Sequence, residues 1–203
     1  MFKRLRYLRW YYWGRWWIKN RIHQKARRGE KIKIIIGSSK DFLEKDGWIY
    51  TNLPHFNILK ESDWKYFFSK TRINNLLAEH VLEHLTEKEV EKVLKLSFQY
   101  LKAGGVFRIA VPDGLNPDPD YIDMVSPTGK IGSFHGHKFL WNYQSLEKLA
   151  NNNGWSAMFL EYYNEDGNFI SNDFTFDNGP IERSSKNNSA NSELSLIIDC
   201  LKN

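Results

Sequence analysis

The sequence of 203 residues has a single cysteine, Cys200, and it lacks any long apolar run. One cysteine excludes a disulfide framework within the chain and fits a reducing compartment. A bilayer-spanning helix needs a run of about eighteen apolar residues, so none is predicted. The N-terminus also lacks the apolar core and small-residue cleavage site of a signal peptide. We therefore expect a cytoplasmic protein, of a length that suits one domain with a full-sized core.

Acidic residues are absent from residues 1–28, which contain ten Lys or Arg and eight aromatic residues. Read as a helix, this stretch brings Leu5, Leu8, Tyr12, Trp16 and Ile22 near one side, with arginines around them. Trp and Tyr favour the membrane interface, and basic side chains favour anionic lipid. The composition predicts a separate N-terminal segment that docks the protein on a membrane surface or a partner.

Two other interpretations of residues 1–28 remain open. The segment could be a helix that packs on the globular domain, residues 29–203, and partly caps its ligand cleft. A basic aromatic segment could also contact phosphates and stack on nucleic-acid bases. Nothing else in the sequence supports nucleic-acid binding, and the sequence does not indicate an oligomeric state.

A strand–helix–strand unit is predicted between residues 73 and 111. Ile73–Ala78 is a short apolar run suited to a strand that is buried on both faces. Thr86 with Glu89 three residues later forms a capping box, which begins a helix. Gly104-Gly105 is expected to end that helix, and Val106–Val111 is the next buried strand. Such a unit implies a right-handed parallel crossover.

The remaining sequence predicts further alternation of strands with helices. A long loop rich in Gly, Pro and Asp follows Asp113, and residues 177–192 are polar and predicted to be a mobile insertion. The predicted strands are 32–36, 48–52, 156–163 and 195–201, and the predicted helical segments are 63–70 and 145–152.

The order of several motifs resembles the class I methyltransferases that use S-adenosyl-L-methionine (AdoMet), in particular a bacterial branch often encoded among surface-polysaccharide genes. The matching stretches are Ile32-Lys-Ile-Ile-Ile-Gly-Ser-Ser39, Asp46-Gly-Trp-Ile-Tyr-Thr-Asn52, Glu79-His-Val-Leu-Glu-His-Leu85, Leu101-Lys-Ala-Gly-Gly105, Pro112-Asp113 and His137-Lys-Phe-Leu-Trp-Asn-Tyr143. The resemblance covers about residues 31–203. It implies a Rossmann-like α/β fold with a mostly parallel, seven-stranded sheet, an antiparallel last strand and helices on both faces.

The resemblance also implies which residues contact AdoMet. The predicted cofactor contacts are Gly37, Ser38, Ser39, Asn52, Ala78 and Glu79. In the family, the glycine turn lets the backbone approach the cofactor closely. Two positions depart from the family pattern. This chain has one glycine in the turn where the family has two or three, and Asn52 replaces an acidic residue that binds the ribose hydroxyls.

Histidines supply the candidate catalytic groups. His80, Glu83 and His84 are spaced so that they share one face of a helical turn. Related methyltransferases hold a divalent metal with a similar segment, and imidazole with carboxylate suits Mn, Fe, Zn or Ni better than Mg. His80 could instead be the general base. Likewise, His135 or His137 could be the base or could complete a metal set with His80.

Polar residues after the predicted strand Val106–Val111 are the candidate substrate contacts. They are Asp113, which could position the substrate, and Asp118, Asp120 and Tyr121, which could form a polar rim for a sugar. The sequence therefore predicts an O-methyltransferase acting on a hydroxyl of a glycan, a lipid-linked glycan or another small molecule, held peripherally at the inner membrane face. The alternative is a non-catalytic methyltransferase-like module that docks to a membrane or partner through residues 1–28.

Overall fold

The computed structural model describes residues 2–38, 43–129, 136–187 and 193–203, with side chains from residue 4 onward. These residues form one sheet of eight strands in the order β2-β3-β1-β4-β5-β8-β6-β7. The strands are β1 Lys33–Ile36, β2 Glu44–Lys45, β3 Trp48–Tyr50, β4 Ile73–Glu79, β5 Leu101–Pro112, β6 Ser156–Tyr163, β7 Phe169–Ser171 and β8 Ser195–Leu201.

The four central strands β3, β1, β4 and β5 run parallel, as predicted. β8 lies antiparallel between β5 and β6, which confirms the antiparallel last strand. The described sheet has eight strands where seven were predicted, and its two edge strands, β2 and β7, are short and antiparallel to their neighbours. The parallel strands end at one edge of the sheet, called the carboxyl edge here, where ligands bind in open α/β sheets.

Four α-helices pack on one face of the sheet, called the first face. They are α1 Phe2–Arg27, α2 Glu61–Phe68, α3 Glu87–Tyr100 and α5 Tyr143–Asn152; a shorter helix, α4 Pro119–Val125, follows β5. α3 begins at the predicted capping box, in which the Thr86 side chain and Glu89 bond reciprocally. Ile34 and Ile36 of β1 point to this first face and belong to its large apolar core. Each such buried side chain contributes about 1.5–3 kcal/mol.

The opposite, second face carries a smaller core that includes Ile35, Leu77 and Ile197. It is covered by chain 174–181, which contains a 3-10 turn, and not by an α-helix among the described residues. Helices were predicted on both faces of the sheet. Among the described residues, α-helices cover the first face, and an irregular segment covers the second. Residues 177–187 of the predicted mobile insertion lie against the sheet, where Ile181 is 1% exposed, while 188–192 lie outside the described residues.

β5 begins earlier than predicted. α3 ends at Tyr100, and Leu101 already pairs with Ile73 of β4. Gly104 and Gly105 therefore lie in the strand and do not end the helix. Gly104 has φ +70°, and its N–H donates to the Lys202 carbonyl, so the pair forms an irregular start of β5 beside the end of β8.

α1 packs on the domain through its C-terminal half. Ile18 and Ile22 are buried in the core of the first face, and the Arg15 guanidinium pairs with Asp63 of α2 at 3.1 Å. From residue 4 to residue 13 every side chain except Tyr11 is exposed. Among the residues that the structure describes, no helix has an apolar stretch long enough to cross a membrane.

Candidate functional site

Two cavities lie at the carboxyl edge of the central strands. The first cavity, of about 660 Å³, lies on the second face between β1, β3 and β4 and the chain around residues 176–183. The second cavity, of about 390 Å³, lies beyond the ends of β4 and β5 and is bounded by α4. Both volumes are in the range of small-molecule sites, about 300–1,000 Å³. His80 and Arg183 line both cavities, so the two spaces meet at these side chains.

Three of the predicted cofactor contacts line the first cavity: Gly37, Ser38 and Glu79. Gly37 has φ +72°, and a Cβ there would lie 2.3 Å from the Val81 Cγ2 atom. The fold itself therefore requires glycine at this turn, whatever binds beside it. The Glu79 carboxylate accepts hydrogen bonds from the backbone N–H groups of Glu182 and Arg183, at 3.1 and 2.8 Å. Glu79 thus fixes the chain that forms one wall of the first cavity.

Two other predicted cofactor contacts, Ala78 and Asn52, do not line this cavity. Ala78 points to the first face, where it is fully buried in the core. Asn52 lies beyond the end of β3, and its Oδ1 accepts a hydrogen bond from the Leu53 N–H at 2.8 Å. The ribose contact that the resemblance implied for Asn52 therefore has no support in this arrangement. Ser39 lies outside the described residues.

Sequence reasoning missed several lining residues of the first cavity, including Asp46, Tyr50, Glu182 and Arg183. Burial raises the pKa of the Tyr50 phenol, with smaller contributions from the charges of Glu182 and Asp46. The alternation of β3 could have found Tyr50, because its neighbour Ile49 points to the first face. No sequence pattern marks Glu182 or Arg183, which reach the cavity through a long irregular segment.

His80 follows β4 with φ 51°, in the left-handed region. A non-glycine residue there is uncommon and costs about 1–3 kcal/mol, and such strain clusters at functional sites. Its Nε2 lies 3.0 Å from Ser195 Oγ, and its Nδ1 lies 3.4 Å from Glu83 Oε1. The imidazole is thus held between β8 and the 3-10 turn Leu82–His84, at the junction of the two cavities.

Glu83, His84 and His137 come together in the second cavity, although 53 residues separate the last two. One ligand atom from each lies within 4.8 Å of the others, and the His84 and His137 rings meet edge to face at 4.9 Å. The predicted metal set of His80, Glu83 and His84 differs from this group, because His137 takes the place of His80. His135 lies outside the described residues.

The candidate substrate carboxylates have structural roles. Asp113 is fully buried, and its two oxygens accept hydrogen bonds from the Leu115 and Tyr163 N–H groups at 2.9 and 2.7 Å. Burial raises the pKa of this carboxyl. Asp118 caps α4 by accepting from the N–H of Asp120, and both residues are exposed outside the two cavities.

Of the predicted substrate contacts, Tyr121 alone lines the second cavity among the described residues. Its hydroxyl donates to the Leu194 carbonyl, and burial raises its pKa. The phenol therefore stays neutral, and its hydroxyl is held by the backbone. Of the predicted polar rim for a sugar, Tyr121 lines the second cavity, whereas Asp118 and Asp120 do not.

No family model and no curated protein matches this sequence. Solved structures do match. A methyltransferase of Thermotoga maritima, described as a possible histamine N-methyltransferase, aligns over 98% of this chain and 95% of its own, with 11% identity and a TM-score of 0.50. The chain has the fold of the class I methyltransferases. At this identity the likeness concerns the fold, and the cavities lie where that fold binds ligands.

Two further solved structures have lower TM-scores. A methyltransferase of Archaeoglobus fulgidus aligns over 93% of this chain and 94% of its own, with 16% identity and a TM-score of 0.49. LepI in complex with S-adenosylmethionine aligns over 90% of this chain, with 10% identity and a TM-score of 0.48. This chain spans 40% of the length of LepI.

Proposed function

We propose that the protein is an AdoMet-dependent O-methyltransferase whose first cavity binds the cofactor and whose second cavity binds the acceptor. The observation that carries this proposal is the meeting of the two cavities at His80. A methyl donor in one cavity and an acceptor oxygen in the other would meet beside the His80 imidazole. That arrangement gives the proximity that methyl transfer requires.

The charges of the first cavity fit AdoMet, which carries a sulfonium and an ammonium. Four carboxylate side chains line the cavity, beside an apolar floor that includes Ile35 and Leu77. They are Asp46, Glu79, Asp177 and Glu182, and the basic side chains of Lys33, Lys45 and Arg183 line the same cavity. The lining therefore offers carboxylates for the two cationic groups of AdoMet and basic side chains for its carboxylate. AdoMet supplies an activated methyl group when it is bound there.

His80 is suited to take the proton that the acceptor hydroxyl loses. Donation from the His80 Nε2–H to Ser195 Oγ leaves the lone pair on Nδ1, and the Glu83 carboxylate beside Nδ1 favours the imidazolium that forms. His80 would accept the proton of the acceptor hydroxyl, and AdoMet held in the first cavity would supply the methyl group to the acceptor oxygen. Transfer therefore needs positioning and one proton acceptor.

Calorimetric titration with AdoMet and its demethylated product tests the cofactor. We expect micromolar binding, weakened about tenfold or more by Tyr50→Ala, which removes a cavity wall. Tyr162→Ala is the matched control, since Tyr162 packs on the first face. Asn52→Asp should leave the affinity unchanged, because Asn52 does not line the cavity. Absence of binding would favour the alternative, a non-catalytic module with a retained methyltransferase fold.

We further propose that the acceptor is a glycan hydroxyl, presented free or on a lipid carrier at the inner membrane face. A screen of hydroxylated glycans with labelled AdoMet tests this part. We expect the wild type to methylate glycans. His80→Gln should lose this activity and still bind the cofactor. Turnover of non-glycan acceptors alone would contradict the glycan assignment while leaving the methyltransferase intact.

The N-terminal half of α1 supports docking on an anionic membrane. Leu5, Leu8, Tyr12 and Trp16 are 49, 36, 65 and 57% exposed and recur at helical spacing. They lie away from Ile18, which packs on the domain. Residues 1–28 carry ten basic and no acidic side chains, so the charge of this surface complements anionic lipid. None of the described α1 residues lines the first or second cavity, which favours a docking role over a cap of the proposed cofactor cleft.

Co-sedimentation of the full chain with vesicles tests this surface. We expect pelleting with vesicles that contain anionic phosphatidylglycerol, less with neutral phosphatidylcholine, and a loss in Leu8→Glu/Tyr12→Glu. Met158→Glu, at another exposed apolar residue, is the matched control. Equal pelleting of the double variant and the wild type would contradict the membrane assignment.

A further inference from the structure

We propose that Glu83, His84 and His137 form a binding site for a divalent transition-metal ion in the second cavity. Each residue offers one ligand atom, and these atoms lie within 4.8 Å of one another. Two imidazoles and one carboxylate on one side of a cavity can bind one ion and leave positions for oxygen ligands.

The Glu83 carboxylate is the strongest indication of a cation. Glu83 is 1% exposed, and neither of its oxygens has a hydrogen-bond partner among the described residues. A buried carboxylate without hydrogen bonds is costly, because it loses the water that stabilises its charge. The imidazole atoms His80 Nδ1 and His84 Nε2 lie 3.4 and 4.0 Å from Glu83 Oε1, both too far for a strong hydrogen bond. A bound cation would compensate this charge directly.

His137 is oriented as metal-binding histidines usually are. Its Nδ1 lies 2.7 Å from the Val125 carbonyl, so Nδ1 carries the proton and donates. Nε2 is then the nitrogen with the lone pair. A backbone carbonyl bonded to the second ring nitrogen fixes the tautomer and the ring plane of a ligating histidine.

The backbone joins the two segments that supply the ligands. The Glu83 carbonyl accepts the N–H of Lys138 at 2.7 Å and that of Phe139 at 3.3 Å. The chain after His137 is therefore anchored on the turn that carries Glu83 and His84. The group is held by main-chain contacts, and its geometry does not depend on exposed side chains alone.

His80 is not assigned to the ligand set. Its Nε2 is engaged by Ser195 Oγ, and the ligand group within 4.8 Å comprises the other three residues. The donors favour Zn, Mn, Fe or Co over Mg, which prefers an all-oxygen environment. The His84 side chain is 43% exposed, so the open positions of the ion would face the cavity and could receive two adjacent oxygens of an acceptor.

Titration of chelator-treated full-length protein with Zn²⁺, Co²⁺ and Mg²⁺, in the absence of AdoMet, tests the site. We expect one Zn²⁺ or Co²⁺ per chain, a higher melting temperature on binding, a Co²⁺ absorption spectrum of mixed nitrogen and oxygen ligation, and no comparable Mg²⁺ binding. Glu83→Gln, His84→Gln and His137→Gln should each weaken Co²⁺ binding at least tenfold.

Two control variants locate the ion. His23→Gln, on α1, should bind as the wild type does. His80→Gln should change the affinity less than threefold; a loss equal to that of His137→Gln would replace the proposed set by one that contains His80. Absence of stoichiometric Zn²⁺ and Co²⁺ binding would overturn the proposal. Because AdoMet is left out, that result would not bear on the cofactor assignment.

Discussion

On the second face of the sheet, buried carboxylates are fully bonded, whereas at the carboxyl edge the buried Glu83 carboxylate is not. Asp199 receives two hydrogen bonds from Arg108, at 2.7 and 2.8 Å, and Glu161 accepts from Ser184 and Ser185. Glu83 has no hydrogen-bond partner among the described residues. A buried carboxylate whose hydrogen bonds are all made within the protein has a structural role. A buried carboxylate without hydrogen-bond partners is expected where a ligand binds it.

The largest effect is expected from breaking the bonded pair on the second face. Arg108 and Asp199 have side chains 1% exposed, and Arg108 also donates to the carbonyls of Thr175 and Gly179. Arg108→Met leaves the Asp199 charge buried, so we expect a loss of about 3–5 kcal/mol in the free energy of unfolding. Urea unfolding followed by circular dichroism measures it.

A double variant separates the charge from the packing. Arg108→Met/Asp199→Leu removes both charges, so it should recover part of the loss, because a buried pair replaced by apolar groups is often near neutral. A double variant no more stable than Arg108→Met would show that the loss comes from the Thr175 and Gly179 carbonyls left without their donor, and not from the unpaired Asp199 charge.

Asp113 lies between the two extremes, since it is bonded but its pKa is raised by burial. Asp113→Asn places an amide N–H₂ against a backbone donor, so we expect a loss of about 1–3 kcal/mol at pH 7. A raised folded-state pKa means that the wild type gains stability as pH falls through that pKa and loses it as pH rises. The variant lacks this contribution, so the stability difference should widen from pH 7 to pH 4.

Unfolding measurements of both proteins at the two pH values check this prediction. Glu87→Gln, in the first turn of α3, is a suitable control because its carboxylate is exposed. A gap between wild type and Asp113→Asn that narrows on acidification would contradict the raised pKa.

Glu83→Gln should not lower the free energy of unfolding, in contrast to substitutions of the hydrogen-bonded carboxylates Asp113 and Asp199. In metal-free protein the change removes a buried charge that has no hydrogen bond, so we expect unchanged stability or a gain of about 1 kcal/mol. Urea unfolding with chelator present measures it, and Asp199→Asn, expected to lose stability, is the matched control. A loss as large as in Asp199→Asn would remove the contrast between the two regions.

The same contrast explains how much the sequence could predict. β6 and β8 have the predicted bounds, and α3 begins at the predicted capping box, because local periodicity and capping determine such elements. The sequence placed His80, Glu83 and His84 together because they share one turn. It did not exclude Asp113 from the substrate contacts, because Tyr163, which binds its carboxylate, is fifty residues away.

The wall of the first cavity could not be predicted for a related reason. Arg183 reaches it through an irregular segment held by Glu79 and Glu161, and tertiary hydrogen bonds of this kind have no sequence period. Similarly, the exchange of His80 for His137 in the candidate metal group depends on the backbone bonds from residues 138 and 139 to Glu83. Sequence patterns predict the helices and strands. Long-range polar contacts determine which side chains line the cavities and form the candidate metal group.

The smallest effect is expected at an exposed ion pair, where neither burial nor incomplete bonding matters. Lys95 and Glu91 on α3 lie one helical turn apart with side chains 63 and 41% exposed. Glu91→Gln should change the free energy of unfolding by about 0.3–0.5 kcal/mol, and less at 1 M salt, because water and ions screen the pair. Urea unfolding at both salt concentrations checks this. A loss near that of Arg108→Met would contradict the view that burial makes the Arg108–Asp199 pair the more important of the two ion pairs.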